Sequence, residues 1–276
     1  NITLDQKGKK VYGALLPAGN MYSSSDACNA FLDTPFDYNV PLKINLRSGG
    51  CLFEFPDKPL TRDRSLDKSN YAITPLEAPS RDGKLIKVMC VHSKDVDVHN
   101  PRVQSKCLMK FYGCYGLSND FGYNVSDWNY LEKDWVIAYP LIRGGGELGR
   151  RLHTEAILEH KYRTVNDIED VAIFLSASNI SHKSLLCAKS SSAGAGMLAS
   201  CLNQNKDLFK AVVLDSPFLD MLNMLLDPDL PLSQSDYEEF GDPSDPLYLK
   251  SIWSLCPYSN IRPIEYPFIL INAFKN

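Results

Sequence analysis

From about Tyr71 onward the chain alternates short apolar runs with stretches of helical period, and that alternation leaves few folds open. "KCLMKFYG", "DWVIAYPLIRGGGELG", "SLLCAKS", "LFKAVVLDSPF" and "YPFILINAF" read as strands. Between them, "TVNDIEDVAIFLSASN" places Val165, Ile168, Val171, Ala172 and Leu175 on one helical face, and "AGMLASCLNQN" and "LDMLNMLLD" read as helices. Strands alternating with helices predict an α/β fold around a mostly parallel sheet, with ligands beyond the carboxyl ends of the strands. "YAITPLEAPSRDGKLIKVMCVHS" predicts a hairpin that turns at Asp82-Gly83.

Residues 1–70 have a different texture. "KKVYGALLPAG", "VPLKINLRSGG" and "CLFEFPDKPL" are strand-like and separated by Gly, Pro, Asn and Asp, with no helical period. The segment is too short to close a barrel or sandwich, and reads as the end of a larger all-β domain. The first residues, "NITLDQKGKK", are polar and lack an initiator Met, so the chain is expected to be part of a longer one.

Composition excludes more than it assigns. A net charge of −4 gives no reason to expect nucleic acid or an acidic membrane surface, and no apolar run is long enough for a membrane span. The eight cysteines make no C-x-x-C pair, so no metal is expected. Several lie in apolar runs and read as buried, reduced thiols, which favours a cytoplasmic location.

The segment "AKSSSAGAGMLAS" puts Ser192 between a strand and a helix. A nucleophile elbow needs that context, with small residues two before and two after the serine; Ser190 and Gly194 stand there. The pattern is thus S-x-S-x-G rather than G-x-S-x-G. A helix start capped by serine hydroxyls is the alternative. "RGGGELG" lacks the G-x-x-x-x-G-K-[ST] form of a phosphate cradle.

"YGCYG", "RGGGELG", "SSAGAG", "SPFLDMLNMLLDPDLPLSQSDYEEFGDP" and "CPYSNIRPIEYP" follow one another as in the prolyl oligopeptidase family of serine hydrolases, which the chain resembles over about 71–276. The resemblance is strongest to the oligopeptidase B and prolyl endopeptidase-like branches; the latter also lacks the first Gly of the elbow. It implies an α/β-hydrolase catalytic domain (71–276), with 1–70 as the C-terminal remnant of a β-propeller. It implies Ser192 as nucleophile, with the Tyr112 hydroxyl and the Ala193 N–H as oxyanion donors. Asp236 and Glu238 match carboxylates that bind a basic residue before the scissile bond, although such an acidic stretch also reads as a solvated loop. The activity implied is hydrolysis of short peptides through an acyl-enzyme, without cofactor. Ester or thioester hydrolysis and a non-catalytic interaction role are the alternatives.

All five histidines, at 92, 99, 153, 160 and 182, precede Ser192, whereas an α/β-hydrolase takes its base from after the nucleophile. His153 and His160 fit an exposed helix or loop, and Asp215 and Asp220 read as structural or capping residues. The triad acid and base are therefore expected beyond Asn276, and these 276 residues alone are expected to be catalytically silent.

Overall fold

The computed structural model describes residues 2–6, 9–17, 26–38, 40–48, 50–53, 67–99, 102–119 and 121–273. They divide into two compact units, one of residues 1–73 with 120–129 and one of residues 74–119 with 130–276.

The first unit carries an antiparallel sheet of β1 (Ile2–Gln6), β2 (Lys9–Pro17), β3 (Ala27–Asp33), β4 (Val40–Asn45) and β5 (Cys51–Phe53), paired in sequential order. In β4, Val40 and Leu42 are buried while Pro41 and Lys43 are exposed, the alternation of a strand with one covered face. The Asn45 side chain accepts from the N–H groups of Arg47 and Ser48 and turns the chain toward β5. Of the strand-like "CLFEFPDKPL", residues 54–60 lie outside the described residues. An aromatic cluster explains why 120–129 groups here: the Trp128 ring stands edge-on to Tyr71 at 5.2 Å and 5.9 Å from Phe36.

The second unit is built on a seven-stranded sheet. Its strands are β6 (Tyr71–Pro79), β7 (Leu85–Ser93), β8 (Cys107–Lys110), β9 (Val136–Pro140), β10 (Leu186–Ser191), β11 (Ala211–Asp215) and β12 (Phe268–Asn272). The order is β12-β11-β10-β8-β9-β7-β6. From β12 to β9 all neighbours are parallel, and β7 runs antiparallel to β9. The hairpin from β6 to β7 closes through Ser80 and Lys84, with Gly83 at φ 85°. Strands buried on both faces read as continuous apolar runs, and every residue of β9 is buried.

The helices are α1 (Val125–Leu131), α2 (Arg150–Thr154), α3 (Tyr162–Ala177), α4 (Ser192–Gln204), α5 (Met221–Leu226), α6 (Ser233–Phe240) and α7 (Pro246–Leu255). Val165, Ile168, Val171, Ala172 and Leu175 of α3 are all buried, as their spacing predicts. They join Met109, Val136, Leu186, Ala188, Met197 and Leu202 in one core. Among the described residues no helix is long and apolar enough to cross a membrane. Five cysteines, at 90, 107, 114, 201 and 256, are buried, and burial pushes the Cys90 thiol up to about 12, which leaves it inert. The Cys51 side chain lies outside the described residues.

A buried charge network pins the hairpin turn and the chain after β9 to α3. The Arg143 guanidinium, 4% exposed, meets the fully buried Asp167 at 2.5 Å and Ser80 Oγ at 3.1 Å, and it also reaches Asp82. Asp167 accepts the Arg143 backbone N–H as well, at 2.9 Å. Removing one partner of such a pair strands a charge in the interior. We therefore expect Asp167→Ala to lower the unfolding free energy by about 3–5 kcal/mol in urea melts. Glu169→Gln, at the more exposed Arg81 contact, should cost less than about 1 kcal/mol. Equal losses would show that burial does not set the cost.

Candidate active site

The turn from β10 into α4 forces Ser192 to φ 50°, in the left-handed region. A non-glycine residue held there costs on the order of 1–3 kcal/mol and persists only when its surroundings fix it. Two bonds fix it here. The Ser192 carbonyl accepts the Phe218 N–H at 3.0 Å, and buried Ser190 donates its hydroxyl to the Phe111 carbonyl at 2.7 Å. Ser190 stands where the elbow pattern has glycine, and its hydroxyl ties β10 to the end of β8. Gly194 is needed in return: a Cβ there would lie 2.6 Å from both Ser190 Oγ and the Tyr112 carbonyl. The Ser192 side chain itself is exposed.

Two donors flank that hydroxyl. Tyr112 leaves the carboxyl end of β8 with its ring against the first turn of α4, where a Cβ on Gly194 would lie 3.0 Å from it, and Ser192 is among the groups that act on its phenol. Burial pushes the phenol up to about 12, so it stays protonated and can donate throughout the neutral range. Ala193 sits in the first turn of α4, where backbone N–H groups have no carbonyl partner within the helix. A hydroxyl, a phenolic O–H and a helix-terminal N–H are thus carried by two neighbouring strand exits, donor types suited to negative charge developing on a carbonyl oxygen.

Next to Tyr112, the Tyr115 ring lies 6.3 Å away and its hydroxyl donates to Asp236 Oδ1 at 3.0 Å. Asp236 is half-buried on α6. Burial raises its carboxyl above the ordinary Asp range, the Tyr115 hydroxyl opposes that, and the charge of Glu239 adds to it. Glu238 is exposed. Two residues apart on a helix point to different sides, so the structure does not bring Asp236 and Glu238 together. The residue that shares a side with Asp236 is Glu239, one turn on. It is 2% exposed and bonded to Lys161 and His153. Tyr115, Lys161 and Glu239 carry no signal in one sequence beyond the second tyrosine of "YGCYG".

Four of the five histidines have partners of their own. His92 bonds Thr74 and the Ser93 carbonyl, His182 bonds Ser184, and His160 lies 3.7 Å from Glu159. His99 is exposed. His153 lies on α2 but is less exposed than its sequence setting suggests, because it binds buried Glu239 at 2.8 Å. Asp220 caps α5, and Asp215 pairs with Lys189 at 2.8 Å, which holds its carboxyl below the usual range.

Gly144 and Gly146 of the 143–149 loop are required by close packing against the 113–116 backbone. A Cβ on Gly144 would strike the Gly113 carbonyl and come within 2.8 Å of Lys161 Nζ. The same loop carries the buried carboxyl of Glu147, a group that opposes phosphate. No group of three His, Cys, Asp or Glu side chains among the described residues could hold a metal ion.

The sequence profile of the prolyl oligopeptidase family matches residues 122–275. The chain is similar to the prolyl endopeptidase-like protein of Pongo abelii, 36% identical over 203 residues that make up 73% of this chain and 27% of the relative. It is also similar to dipeptidyl aminopeptidase BI of Pseudoxanthomonas mexicana, 32% identical over 210 residues, or 75% of this chain and 28% of that one. Oligopeptidase B from Leishmania major superposes with a TM-score of 0.81 at 27% identity, covering 90% of this chain and 34% of that one. The chain therefore spans less than a third of the curated relatives it matches.

Strain at the turn predicts an inverted stability response. Ser192→Gly should raise the unfolding free energy by about 1 kcal/mol, because glycine adopts positive φ without penalty. Ser192→Ala should change it little. Chemical denaturation of the three chains checks this; a destabilised glycine variant would mean that the surroundings hold Ser192 without strain.

Proposed function

The chain belongs to the prolyl oligopeptidase family, and from that premise we propose that it carries the nucleophile and oxyanion site of a serine-type peptidase acting on short peptides. The observation that carries this reading is the strained, exposed Ser192 beside the protonated Tyr112 phenol. The Ser192 oxygen would attack the scissile carbonyl carbon while its proton passes to a base. The Tyr112 hydroxyl and the Ala193 N–H would hold the resulting oxyanion. Collapse would expel the amine, which takes up a proton, and leave an acyl-enzyme for water to hydrolyse. A hydroxyl without a base is a poor nucleophile, and the histidines of this chain bond other groups or lie exposed. We place the base and its acid partner beyond residue 276, and read residues 1–70 as the end of a β-propeller. The free thiols support a cytosolic setting.

Within the proposed pocket we assign recognition of a Lys or Arg side chain to Asp236, assisted by the Tyr115 hydroxyl. Glu239 is neutralised by Lys161, and Glu238 faces solvent. Ester or thioester hydrolysis is a second reading, favoured by Ser190 at the position where the prolyl endopeptidase-like branch also lacks glycine. The elbow and its donors would serve either acyl group.

In the longer chain, a fluorophosphonate probe should label Ser192, and labelling that persists in Ser192→Ala would overturn the assignment. Tyr112→Phe should lower kcat by about a hundredfold with little change in KM, since its donor acts in the transition state. Asp236→Asn should reduce kcat/KM for Arg substrates far more than Glu238→Gln does. Because the Asp236 carboxyl is raised, its charge is lost at a higher pH than that of an ordinary Asp. Preference for Arg over a neutral residue should therefore decay on acidification before the ordinary Asp range is reached. A preference independent of pH and of Asp236 would remove it from the pocket.

A further inference from the structure

Lys161 is fully buried, between the short turn 158–160 and α3. An ammonium has three donors, and all three are used. They go to the Gly113 carbonyl at 2.8 Å, Glu239 Oε1 at 2.5 Å and the Ala156 carbonyl at 3.4 Å. Gly113 directly follows Tyr112. Its φ of 73° and the Ile142 and Thr164 side chains that a Cβ would strike require glycine there, the residue whose own backbone is least restrained. Thr164 Oγ1, which donates to the Arg143 carbonyl at 2.9 Å, lies 3.4 Å from the same oxygen. On the other side, Glu239 stands one helical turn from Asp236 on α6, and His153 holds its second oxygen. One buried cation therefore grips the loop that presents Tyr112 and the helix that presents Asp236.

We propose that the Lys161–Glu239 pair, braced by His153, is a positioning element that sets the Tyr112 hydroxyl over Ser192 and the Asp236 carboxylate in one pocket. This rests on the reading of Ser192 and Tyr112 given above. Burial of an ion pair is poor evidence for stability, because well-packed apolar residues of similar volume often serve a fold equally well. What they cannot supply is a fixed direction for the Gly113 carbonyl. Displacing a donor by about 1 Å from the reacting oxygen costs on the order of a hundredfold in rate.

The test is a double-mutant cycle in the longer chain. Lys161→Met with Glu239→Leu replaces the pair by apolar side chains and should give a folded protein. It should lose at least tenfold in kcat in the native background and under threefold in a Tyr112→Phe background, where no phenol is left to misplace. His153→Gln, at a partly exposed site where the amide can still reach Glu239, should show the same pattern at about threefold, and it decides the matter if the double variant does not fold. No loss of kcat, or equal losses with and without the Tyr112 hydroxyl, would overturn the proposal and make the pair a packing feature. A wild-type chain that fluorophosphonate does not label would instead refute the underlying reading.

Discussion

Parallel pairing from β9 to β12 sends each of these strands out of the sheet at the same edge, and everything at the candidate site follows from that. The 112–116 loop leaves β8, the glycine loop leaves β9, the serine turn leaves β10, and the segment that binds the Ser192 carbonyl leaves β11. Because β8 and β10 are neighbours, the phenol of one loop and the hydroxyl of the next need no long reach. Ser190 then locks the two exits at the level of the backbone. The sheet determines which loops can meet, and the buried polar contacts between them determine at what distance.

Those parts of the fold that obey a local period were legible. The central strands β8 and β9 are short and apolar because both their faces are covered, and α3 shows its core face at 3.6-residue spacing. The turn at Ser192 was legible for a related reason: a strand, small residues and a helix must be contiguous in sequence to make it. Tyr112 and Ala193 needed the resemblance, since nothing about a tyrosine after a strand specifies which oxygen it faces.

The acidic stretch shows where sequence reading runs out. "SDYEEF" is adjacent acid on acid, and reads as one solvated loop or one pocket. Folded as α6, it sends Glu238 to solvent, Asp236 to Tyr115 and Glu239 into the interior. The choice between Glu238 and Glu239 depends on a lysine 78 positions away that itself sits in the polar run "EHKYR". Burial of both ends arises only from tertiary packing, and no local period announces it.

The left-handed backbone at Ser192 also limits what the position can become. Threonine is chemically close to serine, yet a β-branched side chain is badly strained at φ 50°. The turn tolerates unbranched side chains such as Ser, Cys or Asp, and glycine without strain. Descendants of this chain could therefore exchange the side chain within that narrow set, or replace it by glycine and gain stability. Threonine would be barred by the backbone before its reactivity was ever tried.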